Sequence, residues 1–238
     1  MTETTLYLRT IKKELAAWER KMTKSPSFIN RTSKTVQRKI QSIVPAKVQN
    51  LITGAIKVMI ETVISGSSML TKTESVQQPS LAESDYLLTK LYPTYHKIAV
   101  AQGVGFGLGG FLINLADIPA LLTIKTKFLF DCCKLYGFDI DDPNERAFML
   151  YVFQLAYCCD ERRLEIFPII KNWDSYVENT TVDWEKLQLE YRDYLDIAKL
   201  LQLLPMVGAV AGGAANHSLM SKLKATAMNC YRLRVLRD

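Results

Sequence analysis

Two long uncharged runs rich in glycine constrain the fold of this chain more than any other feature. They span residues 98–116 and 200–221, and a charged residue bounds each run at both ends. Eight of the 11 glycines lie within them. A helix without charge has no strongly polar face to turn to water, so it is buried in protein or in lipid. We therefore expect both runs at the centre of the fold.

The spacing of these glycines indicates how the two runs pack. Pairs such as Gly103 and Gly107 are four residues apart and share one face of a helix. Glycine in a helix costs about 1 kcal/mol relative to alanine. Close packing offsets that cost, because small residues let a neighbouring backbone approach. We predict a helical hairpin in the core, packed closely through Gly103, Gly105, Gly107, Gly109, Gly208 and Gly212.

A membrane-spanning role is the alternative for the same two runs. Each has about the 20 residues that a helix needs to cross a bilayer. Polar residues or proline interrupt both, with Gln102 and Asn114 in the first run and Pro205 and Asn216 in the second. The sequence therefore favours a buried hairpin over a spanning one, with reversible insertion into lipid as a third option.

The rest of the chain has the pattern of amphipathic helices, in which apolar residues recur every three or four positions. The first such face consists of Leu8, Ile11, Leu15, Trp18 and Met22. No segment alternates between apolar and polar residues in the way that strands do. The sequence predicts an all-α fold with a single compact helical domain over residues 1–238. Basic N-terminal helices occupy residues 1–66, and the helical core occupies residues 80–238.

Local signals also predict where some helices begin and end. Capping signatures mark two helix starts, at Ser80 with Glu83 and at Asp142 with Pro143 and Glu145. Gly137 is expected to end the helix before the second start. The acidic residues of this segment resemble a calcium loop, but the central glycine of such a loop is missing. Helix capping explains the segment better.

Positive charge is concentrated at the start of the chain, although the whole chain has a net charge of only +6. Residues 1–57 hold 12 lysines and arginines against three glutamates, a net charge of +9. Residues 58–216 hold 13 basic and 20 acidic side chains, a net charge of −7. Residues 217–238 are again basic. A basic arm beside an acidic body predicts a negatively charged partner.

Three partners fit this charge: an anionic membrane surface, nucleic acid, or the acidic stretch 183–196 of the chain itself. No nucleic-acid-binding motif is present, which argues against nucleic acid. We expect the first helix to lie on anionic lipid, with Trp18 at the interface. The predicted contact residues are Lys12, Lys13, Trp18, Arg20, Lys21 and Lys24.

Little in the sequence indicates catalysis or metal binding. Only two histidines occur, and no metal or other cofactor is predicted. Adjacent helical residues point about 100° apart, so adjacent cysteines do not form a natural chelate. We therefore expect buried, apolar thiols at Cys132, Cys133, Cys158 and Cys159.

One group of polar residues between the apolar stretches is the candidate for an enzymatic centre. Asn114 and Asp117 are three residues apart and share a helix face, and Asn216 is a candidate third member. This hypothesis predicts that the three side chains converge in one pocket and that the pKa of Asp117 is raised. The competing interpretation, which the sequence favours, is that Asp117 caps a helix beginning near Pro119.

Three segments in this order resemble the EcsC protein family of bacteria. They are Asn-Leu-Ala-Asp-Ile-Pro at 114–119, the segment from Tyr136-Gly137-Phe138 to Asn144-Glu145-Arg146, and the apolar stretch 204–212 that leads to Asn216. The resemblance covers nearly the whole chain. The basic arm and the length are similar to the Bacillus type, which is encoded beside the two components of an ABC transporter. The resemblance implies an accessory role in transport or at the membrane, and no reaction, cofactor or catalytic residue.

From residues and resemblance together we expect a non-enzymatic accessory protein at the cytoplasmic face of the cell membrane, linked to an ABC exporter. Its partners are then an anionic membrane surface, transporter subunits, or both. The first alternative is a soluble carrier of lipid or another hydrophobic ligand, which predicts an apolar cavity beside the glycines. The second alternative is an uncharacterised enzyme that uses Asn114, Asp117 and Asn216. Because the sequence does not open with a secretory signal, we expect the protein inside the cell.

Overall fold

The computed structural model describes residues 3–25, 46–65, 73–74, 76–105, 118–180 and 208–237. All regular secondary structure in these residues is helical, which confirms the predicted all-α fold. The described helices are α1 (Glu3–Thr23), α2 (Ala46–Ser65), α3 (Leu81–Gly105), α4 (Ile118–Leu135), α5 (Pro143–Tyr157), α6 (Asp160–Lys171), α7 (Trp173–Asn179) and α8 (Gly208–Val235).

Helix α5 lies at the centre of the fold. Every residue from Ala147 to Tyr157 is buried, so this helix has no solvent face. Helices α2, α4, α6 and α8 pack around it. The buried apolar side chains of the described helices form one continuous cluster, which is the core of a single domain as predicted.

Helices α3 and α8 run antiparallel and form the most extensive helix pair of the described structure. Their direction follows from two contacts between side chains, because Asp85 near the start of α3 meets Arg232 near the end of α8, whereas His96 meets His217. The described parts of the two glycine-rich runs lie on this pair, at 98–105 and 208–221. The pairing agrees with the predicted hairpin.

Close packing through the glycines themselves stays a prediction. Gly103 and Gly105 lie in α3, and Gly208 and Gly212 lie in α8. The other two predicted packing residues, Gly107 and Gly109, lie outside the described residues.

Two predicted helix caps are confirmed, and one detail of the second is wrong. The backbone N–H of Glu83 donates to Ser80 Oγ over 3.2 Å, and the backbone N–H of Asn144 donates to Asp142 Oδ1 over 2.8 Å. Glu145 does not complete a capping box. Its carboxylate binds Arg234 instead, because a buried guanidinium is a stronger partner than a backbone N–H at a helix start.

Gly137 ends α4 as predicted, and the structure gives two reasons for glycine at this position. Its φ of +80° lies in the left-handed region that side chains disfavour. A Cβ atom there would also lie 2.8 Å from Cδ of Pro79, closer than such atoms approach. The close contact holds the segment before α3 against the end of α4.

Three of the four cysteine predictions are confirmed. Cys132, Cys133 and Cys158 are buried thiols outside any disulfide of the described residues, whereas Cys159 is partly exposed because it lies at the start of α6. Burial raises the pKa of the Cys132 and Cys133 thiols, so both stay protonated.

Among the described residues, no helix combines the length and the apolar character that crossing a membrane requires.

Candidate functional site

The inward face of α1 is part of the core. Ile11 and Leu15 are buried, and the ring of Trp18 contacts the ring of Phe167 edge-on at 5.5 Å between centroids. Trp18 is therefore partly covered by α6. Its predicted place at a membrane interface stays a prediction, which now applies only to the exposed part of the indole.

The acidic residues in the middle of α1 turn toward the body of the protein. Glu14 accepts a hydrogen bond from Arg232 at 3.2 Å, and Glu19 accepts one from Lys171 at 2.9 Å. Both carboxylates are therefore paired with cations of other helices. Glu19 is mostly covered in its pair, whereas the side chain of Glu14 is 57% exposed beside Arg232.

Six exposed basic residues lie along the outward side of α1 and directly after its last residue. Lys12, Lys13, Arg20, Lys21 and Lys24, all predicted membrane contacts, are exposed, and the structure adds Arg9 to this face. From Arg9 to Lys24 the surface is about 22 Å long, at 1.5 Å per residue. Within the described part of the chain, none of these six side chains has a carboxylate at salt-bridge distance. We call these six residues the α1 basic face.

Arg163 of α6 fixes the end of α1. Its guanidinium donates to the backbone carbonyl of Lys21 at 2.6 Å, to that of Met22, and to that of Lys24 at 2.9 Å. The last carbonyls of a helix have no partner within the helix, so an arginine that binds several of them holds the helix end in place. The α1 basic face is therefore presented on a helix anchored at both its inward face and its end.

A buried carboxylate on α3 joins four helices. Asp85 accepts hydrogen bonds from the hydroxyls of Tyr7 and Tyr136, and its Oδ2 lies 2.7 Å from Nη2 of Arg232. Burial and the hydrogen bond to Asp85 raise the pKa of both tyrosines, so both remain hydrogen-bond donors. We call this group the Asp85 cluster. It ties α1, α3, α4 and α8 together.

A second buried ion pair lies at the end of α8. Arg234 binds both carboxylate oxygens of Glu145, at 2.6 and 2.8 Å, and Asp174 at 2.7 Å. Burial raises the pKa of Glu145, although Arg234 opposes this shift. The guanidinium also stacks 4.0 Å above the ring of Phe138. The pair fixes α8 to α5 and α7.

The predicted polar centre falls largely outside the described residues. Asn114 and Asp117 are not described, and Asn216 lies within α8 without a described side chain. Helix α4 is described from Ile118 onward, so a cap at Asp117 stays a prediction. Convergence of the three residues and the raised pKa of Asp117 stay predictions. The acidic stretch 183–196 also lies outside the described residues.

Two polar groups that no motif marks are buried between α4, α5 and α8. Lys125 is fully buried, and its Nζ has no hydrogen-bond partner among the described residues and lies 5.4 Å above the Tyr157 ring. Burial lowers the pKa of Lys125 to about 7. The hydroxyl of Tyr157 donates to the carbonyl of Leu219 at 3.0 Å. The sequence does not indicate these contacts, because the groups that meet are distant along the chain.

The described residues contain no group of three or more His, Cys, Asp or Glu side chains that fits a metal ion. In the acidic segment, the backbone N–H of Asp141 donates to Asp139, and Arg146 donates to the carbonyls of Ile140 and Asp141. These hydrogen bonds hold the turn before α5. The segment therefore has a structural explanation that needs no ion.

Comparison with known proteins identifies the family. The sequence profile of the EcsC protein family matches residues 9–236. The chain belongs to the EcsC family. It is 41% identical to Protein EcsC of Bacillus subtilis (strain 168) over 225 residues, which is 94% of each chain. It is also 30% identical to the uncharacterized protein YdbA of the same organism over 166 residues, 68% of this chain and 61% of that protein. No solved structure shows a significant match.

In this EcsC family member, the segment 136–146 that led to the resemblance has a structural role. Tyr136 belongs to the Asp85 cluster, Gly137 makes the turn beside Pro79, and Glu145 binds Arg234. Each of these contacts joins the segment to a different helix or loop. The family motif within the described residues therefore holds the fold together, and the α1 basic face is the candidate functional surface.

Proposed function

We propose that this protein is a non-enzymatic accessory protein that binds the anionic cytoplasmic surface of the cell membrane through the α1 basic face. One observation carries the proposal: six exposed basic residues lie along the outward side of α1 and directly after it, while Glu14 and Glu19 of the same helix pair with Arg232 and Lys171. Each lysine or arginine near an anionic bilayer contributes about 1 kcal/mol of binding free energy. The six residues together favour a peripheral, salt-sensitive association.

The proposed partner at the membrane is an ABC transporter. The support for this part is the resemblance to the Bacillus-type EcsC proteins, together with 41% identity to Protein EcsC of Bacillus subtilis. Affinity purification of the tagged protein from cross-linked membranes tests it directly. Enrichment of the two transporter components over other membrane proteins is the expected result, and their absence contradicts the link without affecting the lipid-binding proposal.

Flotation with liposomes tests the membrane proposal. The full-length protein is expected to float with vesicles that contain anionic phosphatidylglycerol, and not with pure phosphatidylcholine, at low salt. High salt is expected to release it. Flotation that survives high salt indicates apolar insertion instead of charge-driven binding. No flotation under any condition rejects direct lipid binding.

A pair of matched variants assigns the binding to α1. Lys12→Gln with Lys13→Gln removes two charges from the α1 basic face, and about 1 kcal/mol for each predicts a loss of affinity of about thirty-fold. The control is Lys57→Gln with Lys90→Gln, which removes two exposed charges from α2 and α3. An equal loss in both variants shows that binding depends on net charge alone and not on α1.

A carrier of hydrophobic ligands is the alternative that predicts a large apolar cavity. Between α2 and α5 the structure has a narrow apolar crevice, lined by Met59, Val63, Met149 and Phe153 among others. This crevice leaves no room for a water-sized molecule. The side chains of 102–105 and 208–216 and the whole of 106–117 are outside the described residues, so the cavity beside the glycines stays a prediction.

A further inference from the structure

The two histidines of the chain, 121 positions apart, meet between α3 and α8. Nε2 of His96 lies 2.5 Å from Nδ1 of His217. The ring centroids are 4.6 Å apart and the ring planes are nearly perpendicular, at 86°. This centroid separation is nearly the largest that the nitrogen separation allows, so the two nitrogens face each other head-on. In that arrangement one ring donates its N–H and the other accepts.

We propose that His96 and His217 form an acid-sensitive latch between α3 and α8. With a single proton between the facing nitrogens, the pair holds the helices together. With a proton on each, both nitrogens are donors that point at each other, and the two positive rings repel. Acidification therefore opens the contact. The proposal does not depend on the proposed membrane function.

The position of the latch determines what it releases. Toward the start of α3, a hydrogen bond of 2.8 Å joins Tyr92 to Ser221, and beyond it lies the Asp85 cluster with its ion pair of 2.7 Å to Arg232. On the other side of the latch, both helices continue into the uncharged glycine-rich sequences. Opening is therefore expected at the glycine-rich end alone, while the Asp85 end stays closed.

The surroundings of the pair do not stabilise a second proton. The described titratable groups at this level of the neighbouring helices are Tyr92, Tyr95 and Lys97 on α3, Lys222 and Lys224 on α8, Lys125 and Asp131 on α4 and Tyr157 on α5. Asp131 is the one carboxylate among them, and it accepts a hydrogen bond from the hydroxyl of Tyr95. Burial and the charge of His217 lower the pKa of His96, and within the described residues no carboxylate opposes this shift. Acid therefore charges the pair without a counter-ion from the residues that the structure describes.

A metal ion fits the pair less well than a proton. Two ligands of a tetrahedral ion converge on it at an angle, whereas these two nitrogens face each other. The described residues supply no third ligand of the usual kind. They also supply no carbonyl or carboxylate that accepts from the second nitrogen of either ring, as metal-binding histidines usually require. Lys224 of α8, whose Nζ lies 4.8 Å from the ring of Tyr92 beside His96, adds positive charge near the pair and so disfavours a bound cation.

The protonation half of the proposal is tested by NMR of the full-length protein labelled with ¹⁵N-histidine. Because the chain has two histidines, the spectrum contains only this pair. We expect two coupled steps that are more than about one pH unit apart. In His217→Gln, His96 is expected to titrate in one step, closer to the ordinary value of about 6.5. Independent titration of both rings near that value in the native chain overturns the proposal.

The opening half is tested by hydrogen exchange at pH 7.5 and 5, corrected for intrinsic rates. Peptides that cover 97–105 and 208–216 are expected to open about ten-fold more often at pH 5, which corresponds to a coupling of about one pH unit. Peptides around Asp85 and Arg232 are expected not to change. The variant His96→Gln with His217→Gln keeps a neutral hydrogen-bonding pair and is expected to lose the acid response.

Two controls distinguish the latch from acid opening by neighbouring groups and from metal binding. Tyr92→Phe removes the neighbouring hydrogen bond but no group that titrates in this range, so its acid response is expected to persist. An acid response that survives in the double glutamine variant shows that different groups open the helices and overturns the latch. Stoichiometric binding of Zn²⁺, seen as a shift of both rings that EDTA reverses, identifies a metal site and also overturns it.

Discussion

The two ends of the α3–α8 pair are joined by opposite kinds of contact. At one end the carboxylate of Asp85 and the guanidinium of Arg232 are buried, and two tyrosine hydroxyls complete the hydrogen bonds of the carboxylate. At the other end two imidazole rings meet near solvent. A buried ion pair that loses a partner leaves an unpaired charge in the core, whereas imidazoles gain or lose a proton near neutral pH. We call the buried contact between Asp85 and Arg232 the permanent end of the pair. We call the exposed contact between His96 and His217, which depends on pH, the adjustable end.

Removing the cation from the permanent end has the largest expected effect. Arg232→Met leaves the carboxylate of Asp85 buried without its counter-ion and is expected to lower the free energy of unfolding by about 3–5 kcal/mol. Urea denaturation followed by circular dichroism measures the change. The double variant Asp85→Asn with Arg232→Met is expected to lose less, because no unpaired charge remains. An equal or larger loss in the double variant contradicts this explanation.

Lys125 extends the comparison to a buried amine that has no counter-ion within the described part of the chain. Lys125→Met is expected to raise the free energy of unfolding by about 2 kcal/mol or more at pH 7, because a buried amine without a hydrogen bond is costly. The native pKa of about 7 lies below the unfolded value of 10.5. Between these values the unfolded chain binds more protons, so the stability of the native protein increases with pH by up to about 1.4 kcal/mol per unit.

Denaturation curves of both proteins from pH 7 to 9.5 measure this difference. The difference in stability between Lys125→Met and the native chain is expected to shrink as the pH rises, because the native chain becomes more stable. Parallel stability curves show that the amine of Lys125 is not desolvated in the folded state.

At the adjustable end the expected effect is smaller and depends on pH. His217→Gln is expected to change the free energy of unfolding by less than about 1 kcal/mol at pH 7.5, where a neutral hydrogen-bonding pair is retained. The folded pKa of His96 is lowered, so the contribution of the pair is present above the unfolded value of about 6.5 and is lost as the pH falls through the folded value.

The native chain is therefore expected to lose about 1 kcal/mol relative to His217→Gln between pH 7 and 5. Thermal unfolding of both proteins across this range provides the measurement. A difference between the two proteins that does not vary with pH argues against coupled protonation.

The smallest effect on stability is expected at the α1 basic face. Lys12→Gln with Lys13→Gln is expected to change the free energy of unfolding by less than about 0.5 kcal/mol, because exposed side chains without partners contribute little to folding. Leu15→Ala on the inward face of the same helix is expected to cost about 2–5 kcal/mol. Urea denaturation of the two variants compares how much each face of α1 contributes to the free energy of unfolding. A large loss in the lysine variant shows that these residues stabilise the fold.

Local signals in the sequence predict local features of this protein well. The caps at Ser80 and Asp142 and the turn at Gly137 are confirmed, because each depends on the conformation of a few neighbouring residues. The exposed basic side chains of α1 also follow from the period of its apolar residues. For the same reason the first helix and its buried face were predictable from residues 8–22 alone.

Contacts between residues far apart in sequence were not predictable in this way. Glu145 has the spacing of a capping box, yet its partner is Arg234, 89 positions away. In the sequence, two histidines looked too few for a metal site or a catalytic centre. Only the antiparallel register of α3 and α8 shows that they meet. A residue type at a given position shows which bonds it can form, and not which distant group the fold supplies.

The sequence by itself determined the all-α class, the local helix caps and the basic character of the first helix. Helical period and charge are properties of neighbouring residues, so they can be recognised without knowledge of the tertiary structure. Only the tertiary structure decided which charges are buried in pairs, which are left on the surface, and that His96 and His217 meet. These outcomes depend on the relative placement of helices, which the packing of the whole core sets.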